Sequence, residues 1–215
     1  MGEMGGTPTA LITGVSRGLG KELARQYAAD GWKLIGTERR DLEMTNYQQI
    51  RQFASKLKGE PIDLLFCNAG ISGKKGMAPG SFDFDSWEEV LRVNLLGPAA
   101  LAEALIDNVA ASERRTIAMM SSRLGSIGES SGMTLPYSTS KAALNMLVKG
   151  LAATLAARGI IVVALSPGWV RTDMGGESAP LSPEASVRGL RKVIAGLKPA
   201  DSGKFLSHDG SAIPW

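Results

Sequence analysis

Short apolar runs and longer amphipathic stretches alternate along this chain, and that order restricts the fold more than any other feature of the sequence. The apolar runs occupy residues 9–13, 33–37, 63–68, 115–122 and 160–168. Helical periodicity occupies residues 21–30, 86–112 and 137–158. Strands alternating with helices predict an α/β fold, an open, doubly wound parallel sheet in a single domain spanning residues 1–215.

Four residues mark the expected helix ends. Ser86 is a plausible N-cap for the second helical stretch, and Gly159 is typical of the residue that ends the third. Ser182 followed by Pro183 is typical of the start of a further helix, because proline is tolerated at the first helical position.

Polar and glycine-rich segments follow several of the apolar runs. They read TGVSRGLG, CNAG, MMSSRLG and LSPGWVRT. Ligands of open parallel sheets bind at the carboxyl ends of the strands. The four segments are therefore predicted to meet in one cleft.

The first of these segments carries glycines in the order G-x-x-x-G-x-G, at Gly14, Gly18 and Gly20. Glycines let a backbone turn sharply and approach a phosphate, and the helix that follows supplies N–H donors. A Walker A loop fits poorly, because Gly20-Lys21 is followed by Glu22 and has Val15 where the first glycine of that motif belongs.

Composition excludes several classes of function. The net charge of +3 is too small, and its basic residues too scattered, to favour nucleic acid. One cysteine (Cys67) and one histidine (His208) give no metal-binding cluster, so no metal is expected. The start of the chain has no signal-peptide pattern, and no apolar run reaches the length of a membrane span. We therefore expect a soluble, cytoplasmic protein that binds neither nucleic acid nor membrane.

The stretch YSTSK places Tyr137 and Lys141 four residues apart in a predicted helix. Side chains at i and i+4 share one helix face. A cation held beside a phenol favours the phenolate and lowers the phenol pKa. The pair is therefore a candidate acid–base group, although an isolated pair of this kind is more often a simple surface turn.

Taken together, the motifs resemble the short-chain dehydrogenase/reductase family over nearly the whole chain. The glycine loop, Asn68-Ala69-Gly70, Asn94, Ser122, Tyr137 with Lys141, and Pro167-Gly168 occur in the family's order. The stretches SSRLGSIGE, YSTSKAALN, SPGWVRTDMGG and DGSAIPW resemble its C-factor-like carbonyl reductase branch. The resemblance implies a Rossmann-type fold and an NAD(P)H-dependent oxidoreductase that reduces a carbonyl or oxidises the corresponding alcohol.

The resemblance also implies catalytic roles. Tyr137 would be the proton donor or base, and Lys141 would lower its pKa from about 10 towards 7. Ser122, rather than its neighbour Ser121, would hold the substrate oxygen, since the branch places that serine fifteen residues before the tyrosine. Asn94 would hold a water that links Lys141 to solvent.

The cofactor site implied by the resemblance draws on all the strand ends. Its residues are Gly14, Ser16, Arg17, Gly18, Leu19, Gly20, Glu38, Arg39, Glu43, Met44, Asn68, Ala69, Gly70, Tyr137, Lys141, Pro167, Gly168, Val170 and Thr172. Glu38 suits the ribose hydroxyls of NAD. Arg17 and Arg39 occupy positions that are basic in NADP-preferring members, which favours NADP slightly over NAD.

One segment departs from the family. Residues after the second strand run directly into DLEMTNYQQI, so the helix between strands 2 and 3 is missing or much shortened. Residues 42–45 resemble the end of the family's third strand, where an acidic residue meets the adenine. The missing helix would leave that flank thin and the adenosine pocket open.

Three further hypotheses remain. Gly128–Gly132 reads G-x-S-x-G and His208 lies downstream, as in a serine hydrolase, but that motif needs a strand before it and a helix after it. A cofactor-binding sensor or partner-binding protein could use the same fold without turnover. A homodimer through residues 137–158 and the preceding helix is also expected by resemblance.

Overall fold

One parallel sheet organises residues 6–74 and 76–215, the part of the chain that the computed structural model describes. Its strands in that part are β1 (Thr9–Thr13), β2 (Lys33–Thr37), β3 (Leu64–Cys67), β4 (Thr116–Met120), β5 (Ile161–Ser166) and β6 (Phe205–Ser207). The order across the sheet is β2-β1-β3-β4-β5-β6, and every neighbouring pair is parallel. The direction of winding reverses between β1 and β3, which is where such sheets form their ligand crevice.

Helices cover both faces of the sheet. They are α1 (Gly18–Ala29), α2 (Tyr47–Lys56), α3 (Phe84–Leu91), α4 (Gly97–Ala110), α5 (Leu135–Leu155) and α6 (Pro183–Ala195). A π-helical turn (Arg92–Leu96) joins α3 to α4, and single 3₁₀ turns cover Arg123–Gly125, Ala156–Arg158 and Pro199–Asp201. The α/β, doubly wound fold predicted from the sequence is confirmed.

Alternate strand residues divide the core into two apolar layers. Leu11, Leu65 and Ile117 pack against α2, α4 and α5 on one face. Ile12 and Phe66 point to the other face, towards α1 and α6. Strands β1, β3 and β4 are buried along their whole length, which explains why they read as continuous apolar runs rather than alternating ones.

The segment that follows β2 contains neither a helix nor a strand between residues 38 and 46. As expected, no helix lies between β2 and residues 42–45, and the helix before β3, α2, begins only at Tyr47. The strand ending expected at residues 42–45 is wrong. Leu42 and Met44 are buried and anchor the segment in the core without any ladder of backbone hydrogen bonds. Gly97 permits this close approach, because a Cβ there would lie 2.6 Å from the carbonyl oxygen of Met44.

The single helical stretch expected over residues 86–112 is interrupted. Asp83, not Ser86, caps α3, and its carboxylate accepts a hydrogen bond from the Ser86 N–H at 3.0 Å. The π-helical turn then separates α3 from α4. Helix α5 begins at Leu135, two residues before the tyrosine, and its final turn reaches Gly159 with φ of +68°, as that glycine predicted.

Candidate active site

A cleft of about 480 Å³ opens at the carboxyl edge of the sheet, where the ends of β1 to β5 meet. All four segments expected to converge contribute to its wall. We call this space the cleft. Its position over the β1–β3 reversal is the usual one for a ligand in such a sheet.

The glycine loop forms the floor of the cleft and leads directly into α1. Gly14 and Gly18 have φ of +74° and +54°, which favours glycine at both positions. A Cβ on Gly20 would lie 2.0 Å from the carbonyl oxygen of Gly14, so no other residue fits there. The first turn of α1 contains no acidic residue, which leaves its N-terminal potential open to an anion. This cradle fits a diphosphate.

Thr13 joins the glycine loop to the Asn-Ala-Gly turn, and sequence reasoning missed it. Its hydroxyl accepts hydrogen bonds from the N–H groups of Asn68 and Ala69, both at 3.0 Å. The Asn68 amide donates in return to the carbonyl oxygens of Thr13 and Gly14. A threonine at the last position of β1 was the available signal, because its hydroxyl can reach the neighbouring strand end.

Ion pairs occupy the end of the cleft beside β2. Arg39 bonds Glu43 at 2.6 Å, and Arg40 bonds Glu38 at 3.1 Å. Partial burial opposes ionisation of Glu43, but hydrogen bonds from Arg39 and Thr45 hold its pKa below the ordinary value. Glu38 is therefore paired with Arg40, and the Arg39 guanidinium is paired with the Glu43 carboxylate.

Arg17 leaves the glycine loop towards the segment after β5. It pairs with Asp173 at 2.9 Å, with both side chains largely exposed. A pair so exposed contributes little energy in water. Arg17 can therefore exchange this partner for another anion at small cost.

The candidate acid–base group lies at the other end of the cleft. Lys141 is 3% exposed, its ammonium donates to the Met120 carbonyl oxygen at 2.7 Å, and its Nζ lies 5.5 Å from the centre of the Tyr137 ring. Tyr137 is half-buried and its ring faces the cleft. Phenol and ammonium thus share one face of α5, as their spacing predicted.

Burial is the largest cause of the pKa shift of both Tyr137 and Lys141. It raises the pKa of Tyr137 to about 12, against an opposing polar contact with the Ser122 hydroxyl. It lowers the pKa of Lys141 to about 8. The pKa of the phenol is therefore raised in the protein alone, whereas the resemblance implies a lowered one, because desolvation outweighs the contact with Ser122.

The two serines after β4 have different environments. Ser121 is 1% exposed, and its hydroxyl donates to the Asn145 side-chain oxygen at 2.6 Å. Ser122 is half-buried and lines the cleft beside Tyr137. Its oxygen accepts from the Leu124 N–H at 3.2 Å and still has a hydroxyl proton to offer. Geometry therefore favours Ser122 over Ser121 as the group that meets a substrate oxygen.

Asn94 lies behind the wall of the cleft, in the π-helical turn. It is fully buried, and its amide exchanges hydrogen bonds with the N–H and the carbonyl of Ile71, both at 2.9 Å. It also donates to Ser140 at 3.0 Å. A Cβ on Gly70 would lie 3.2 Å from the Asn94 oxygen and 3.6 Å from the Lys141 ammonium, so these two groups are close neighbours.

Exposed apolar side chains form part of the cleft wall. Trp169 is 56% exposed, and its indole N–H donates to the Gly175 carbonyl oxygen at 2.7 Å. Leu124 and Met174 are also exposed to the cleft. The anchored indole gives this wall a fixed flat face.

Three other features bear on function. Residues 128–132 lie in an exposed loop that follows a 3₁₀ turn rather than a strand, so the serine hydrolase elbow does not form. No group of histidine, cysteine and acidic side chains in the described residues could hold a metal ion. Among those same residues, no helix is both long and apolar enough to cross a membrane.

Comparison with known proteins agrees with this geometry. The sequence model described as short chain dehydrogenase matches residues 40–181, more than half of the chain. The C-signal protein of Myxococcus xanthus is 39% identical over 167 residues, which cover 77% of this chain and all of that protein. This chain belongs to the short-chain dehydrogenase family. It is therefore an oxidoreductase by family.

Two solved structures extend the match to the parts outside residues 40–181. A short-chain dehydrogenase/reductase from Burkholderia multivorans with bound NADP aligns with a TM-score of 0.88 at 33% identity, covering 97% of this chain and 100% of that one. The carbonyl reductase Sniffer of D. melanogaster aligns with a TM-score of 0.86 at 30% identity over the same shares. The resemblance stated from the motifs is confirmed.

In this short-chain dehydrogenase, the residues proposed for catalysis and cofactor binding all line the cleft except Asn94. Pro167, Gly168, Val170 and Thr172 form the side after β5, and Thr172 approaches the glycine loop at Gly18. Cleft residues that sequence reasoning did not select are Thr13, Thr37, Leu42, Ile71, Glu89, Val93, Met120, Ser121, Leu124, Trp169, Asp173, Met174 and Gly175. Most of these are apolar or small, and their residue types carry no chemical signal.

Proposed function

We propose that this protein is an NAD(P)H-dependent reductase that reduces a carbonyl group on a small molecule, with Tyr137 as the proton donor. One observation carries the proposal: the Tyr137–Ser122–Lys141 group and the glycine cradle face the same cleft. A carbonyl reduction needs a proton donor and a hydride donor beside one carbon atom. The reverse reaction, oxidation of the alcohol, would use the same groups.

The chain's own residues would hold the cofactor along the full length of the cleft. The glycine loop and the α1 N-terminus fit the diphosphate, Asn68-Ala69-Gly70 and Lys141 fit the nicotinamide end, and residues 37–44 fit the adenosine end. When bound, the nicotinamide group supplies the hydride. The tight backbone approaches at Gly14 and Gly20 support this assignment.

The protonation state of Tyr137 at neutral pH is the one that reduction requires. A phenol with a pKa of about 12 is fully protonated at neutral pH, which is the state a proton donor requires. Ser122 can donate its hydroxyl proton to the carbonyl oxygen and hold it beside Tyr137. Lys141, whose pKa is about 8, can then return a proton towards the phenolate that forms. Asn94, next to Lys141, would help to connect this proton path to solvent.

A slight preference for NADP over NAD is part of the proposal. Glu38 would repel a 2′-phosphate, but its charge is offset by Arg40. Arg17 and Arg39 border the cleft, and their exposed guanidinium groups can make charge-assisted bonds to that phosphate. The similar Burkholderia protein carries bound NADP, which supports the same choice.

The substrate would be uncharged and apolar beside its carbonyl. Trp169, Leu124 and Met174 line the same cleft as Tyr137 and are exposed within it. Arg123, next to Ser122 in the chain, donates from one guanidinium nitrogen to both carboxylate oxygens of Glu129, at 2.9 and 2.8 Å. An apolar surface with a few fixed polar groups is the usual composition of a small-molecule pocket.

The direct test is a fluorescence titration with NADPH and NADH, followed by a panel of aldehydes and ketones with the preferred cofactor. We expect saturable binding of both, tighter for NADPH, and turnover of aryl and alkyl ketones. Binding without turnover across the whole panel would contradict carbonyl reduction.

A second candidate is a cofactor-binding sensor or partner-binding protein without significant turnover. The observation that favours it is the similarity to a protein whose name denotes a signal. Tight cofactor binding with no turnover would support this candidate. The retained tyrosine, lysine and serine in one cleft favour the reductase.

A further inference from the structure

We propose that Asn145 is a positioning residue, one that fixes the segment carrying Ser122 to the helix carrying Tyr137. The inference rests on the proposed function, because it concerns the geometry of the same site. Asn145 does not line the cleft and was not among the residues selected from the sequence.

The first observation is the pairing between the end of β4 and one face of α5. Met120, Ser121 and Ser122 are consecutive, and the first two each bond a different residue of the helix. Met120 accepts from the Lys141 ammonium at 2.7 Å, and Ser121 donates to Asn145 at 2.6 Å. Ser122 follows them and lines the cleft together with Tyr137. The three helix residues are spaced at i, i+4 and i+8, which places them on one face.

The second observation is that Asn145 holds the segment at two points. Its side-chain oxygen accepts from Ser121, immediately before Ser122, and its amide nitrogen donates to the Gly125 carbonyl at 3.1 Å, three residues after Ser122. Asn145 is 3% exposed and Ser121 is 1% exposed, so neither bond competes with water. A buried polar pair of this kind is costly to break, since each group left behind loses its partner.

The third observation is the closeness of the packing around these bonds. A Cβ on Gly125 would lie 2.7 Å from the Lys141 Cβ, so the 3₁₀ turn rests directly on α5. Arg123 also donates its N–H to Ser166 at 3.1 Å, on the side of β5. The segment is therefore held from the sheet and from the helix, and Asn145 supplies the side-chain bonds to the helix.

This arrangement explains why an asparagine is needed at that position. Ser121 requires an acceptor and Gly125 requires a donor, and a side-chain amide offers one of each. An aspartate would lack the donor, and a leucine of similar size would lack both. Loss of the two bonds would let Ser122 move relative to Tyr137 without changing either residue.

The test compares Asn145→Ala with Asn108→Ala as a matched control. Asn108 is also buried in a helix, and its amide donates to the carbonyls of Leu57 and Glu60, away from the cleft. We expect Asn145→Ala to lower kcat about 10- to 100-fold, as a misplacement near 1 Å can, while its cofactor Kd stays near the wild-type value. Asn108→Ala should lower thermal stability but leave kcat within about twofold of wild type.

Ser121→Ala removes one of the two bonds of Asn145 and keeps the one to Gly125. It provides a second test if Asn145→Ala folds poorly. We expect a smaller fall in kcat, about 3- to 10-fold for one lost hydrogen bond, and no further fall when Ser121→Ala is added to Asn145→Ala. A kcat for both variants within about twofold of the Asn108→Ala value would overturn the proposal.

Hydrogen exchange read by mass spectrometry gives a result that does not depend on turnover. Amides in residues 121–126 should exchange faster in Asn145→Ala than in Asn108→Ala. If the wild type reduces no carbonyl but this difference is seen, the proposed function fails and the structural fixation stands. Unchanged exchange in residues 121–126 would overturn the fixation itself, whatever the activity.

Discussion

At the scale of single residues, two ionisable side chains stand out in the cleft: Tyr137, which is half-buried, and Lys141, which is buried. Desolvation moves their pKa values apart, to about 12 for the phenol and about 8 for the ammonium. Each shift favours the neutral form. At neutral pH the phenol is protonated, and the pKa of the lysine is close enough to neutral pH for it to give or take a proton.

Burying the Lys141 ammonium should cost stability, so removing its charge should increase stability. A pKa lowered from 10.5 to about 8 means that the folded state resists the proton that the unfolded state accepts. We expect Lys141→Met to raise the free energy of unfolding by about 1–3 kcal/mol at pH 7 while abolishing turnover. Chemical denaturation checks this change.

The pH dependence of the free energy of unfolding tests whether the buried ammonium is the cause of this change. Wild-type stability should rise between pH 8 and 10.5, because the unfolded chain binds more protons there than the folded one. The advantage of Lys141→Met should therefore shrink across that window. An advantage that is absent at pH 7, or that grows with pH, would show that the burial of the ammonium is not what limits stability.

Residue types explain what could be read from the sequence at this scale. Tyr137, Lys141 and the glycines carry chemistry or backbone freedom in themselves, so their positions were informative. The choice of Ser122 over Ser121 came from spacing, and the structure supplies its reason in the bond from Ser121 to Asn145. Asn145 and Trp169 act through contacts that no local pattern contains.

At the scale of elements, the unusual feature is the short connection after β2. Residues 38–46 form turns where the family normally has a helix, and β2 becomes the edge of the sheet. The sequence indicated the absence of the helix, because too few residues separate β2 from residues 42–45. The conformation of residues 42–45 could not be predicted, because Leu42 and Met44 alternate as in a strand but are held by core packing alone.

Two other elements could not be predicted from the sequence, for similar reasons. Strand β6 has only three residues, too few for a period-2 pattern, and it forms because β5 offers a partner. The π-helical turn depends on Asn94 bonding Ile71, which is 23 residues away. Both elements are set by tertiary contacts rather than by local propensity.

The ion pairs on the β2 side predict how cofactor choice can be changed. Glu38→Ala should increase NADPH affinity, because it removes a charge that opposes the 2′-phosphate. Arg39→Ala should weaken NADPH about tenfold and leave NADH nearly unchanged, since the loss is of a charge-assisted bond to that phosphate. Fluorescence titration of each variant with both cofactors measures these effects.

Two results would reverse that assignment. If Glu38→Ala mainly weakens NADH, Glu38 binds the ribose hydroxyls and the protein is NAD-dependent. If Arg39→Ala changes the affinity for neither cofactor, the role of Arg39 is limited to its ion pair with Glu43 at 2.6 Å.

The segment after β5 predicts substrate preference. Trp169 is held by Gly175 and presents an exposed indole face to the cleft. Trp169→Ala should raise KM for aryl ketones about tenfold, since an aromatic pair and its buried area contribute roughly 1–2 kcal/mol. KM for small aldehydes should change little. Equal effects on both substrate sizes would indicate a general disturbance of the segment instead.

At the scale of the whole molecule, the sheet brings together residues that are far apart in the chain. The cleft draws on the ends of five strands, and each functional side chain is placed by an element with a buried apolar face. We expect this unit to pair with a second copy through the outer face of α5. Met146 is 71% exposed there, and a Cβ on Gly150 would meet open space, so a neighbouring helix could approach closely.

Light scattering at micromolar concentration tests this expectation. The wild type should have the mass of a dimer, and Met146→Arg should shift the population towards the monomer by burying an unpaired charge in the interface. A monomeric wild type would refute the homodimer. An unchanged dimer in Met146→Arg would place the interface on another face.

The most direct test of the account is Tyr137→Phe, assayed for carbonyl reduction and for cofactor binding in the same preparation. The substitution keeps the ring that packs beside Lys141 and removes only the hydroxyl. We expect NADPH to bind with unchanged affinity and kcat to fall by about 100-fold or more, the usual contribution of a general acid. A variant that keeps more than about a tenth of the wild-type rate would contradict the role of Tyr137 as proton donor.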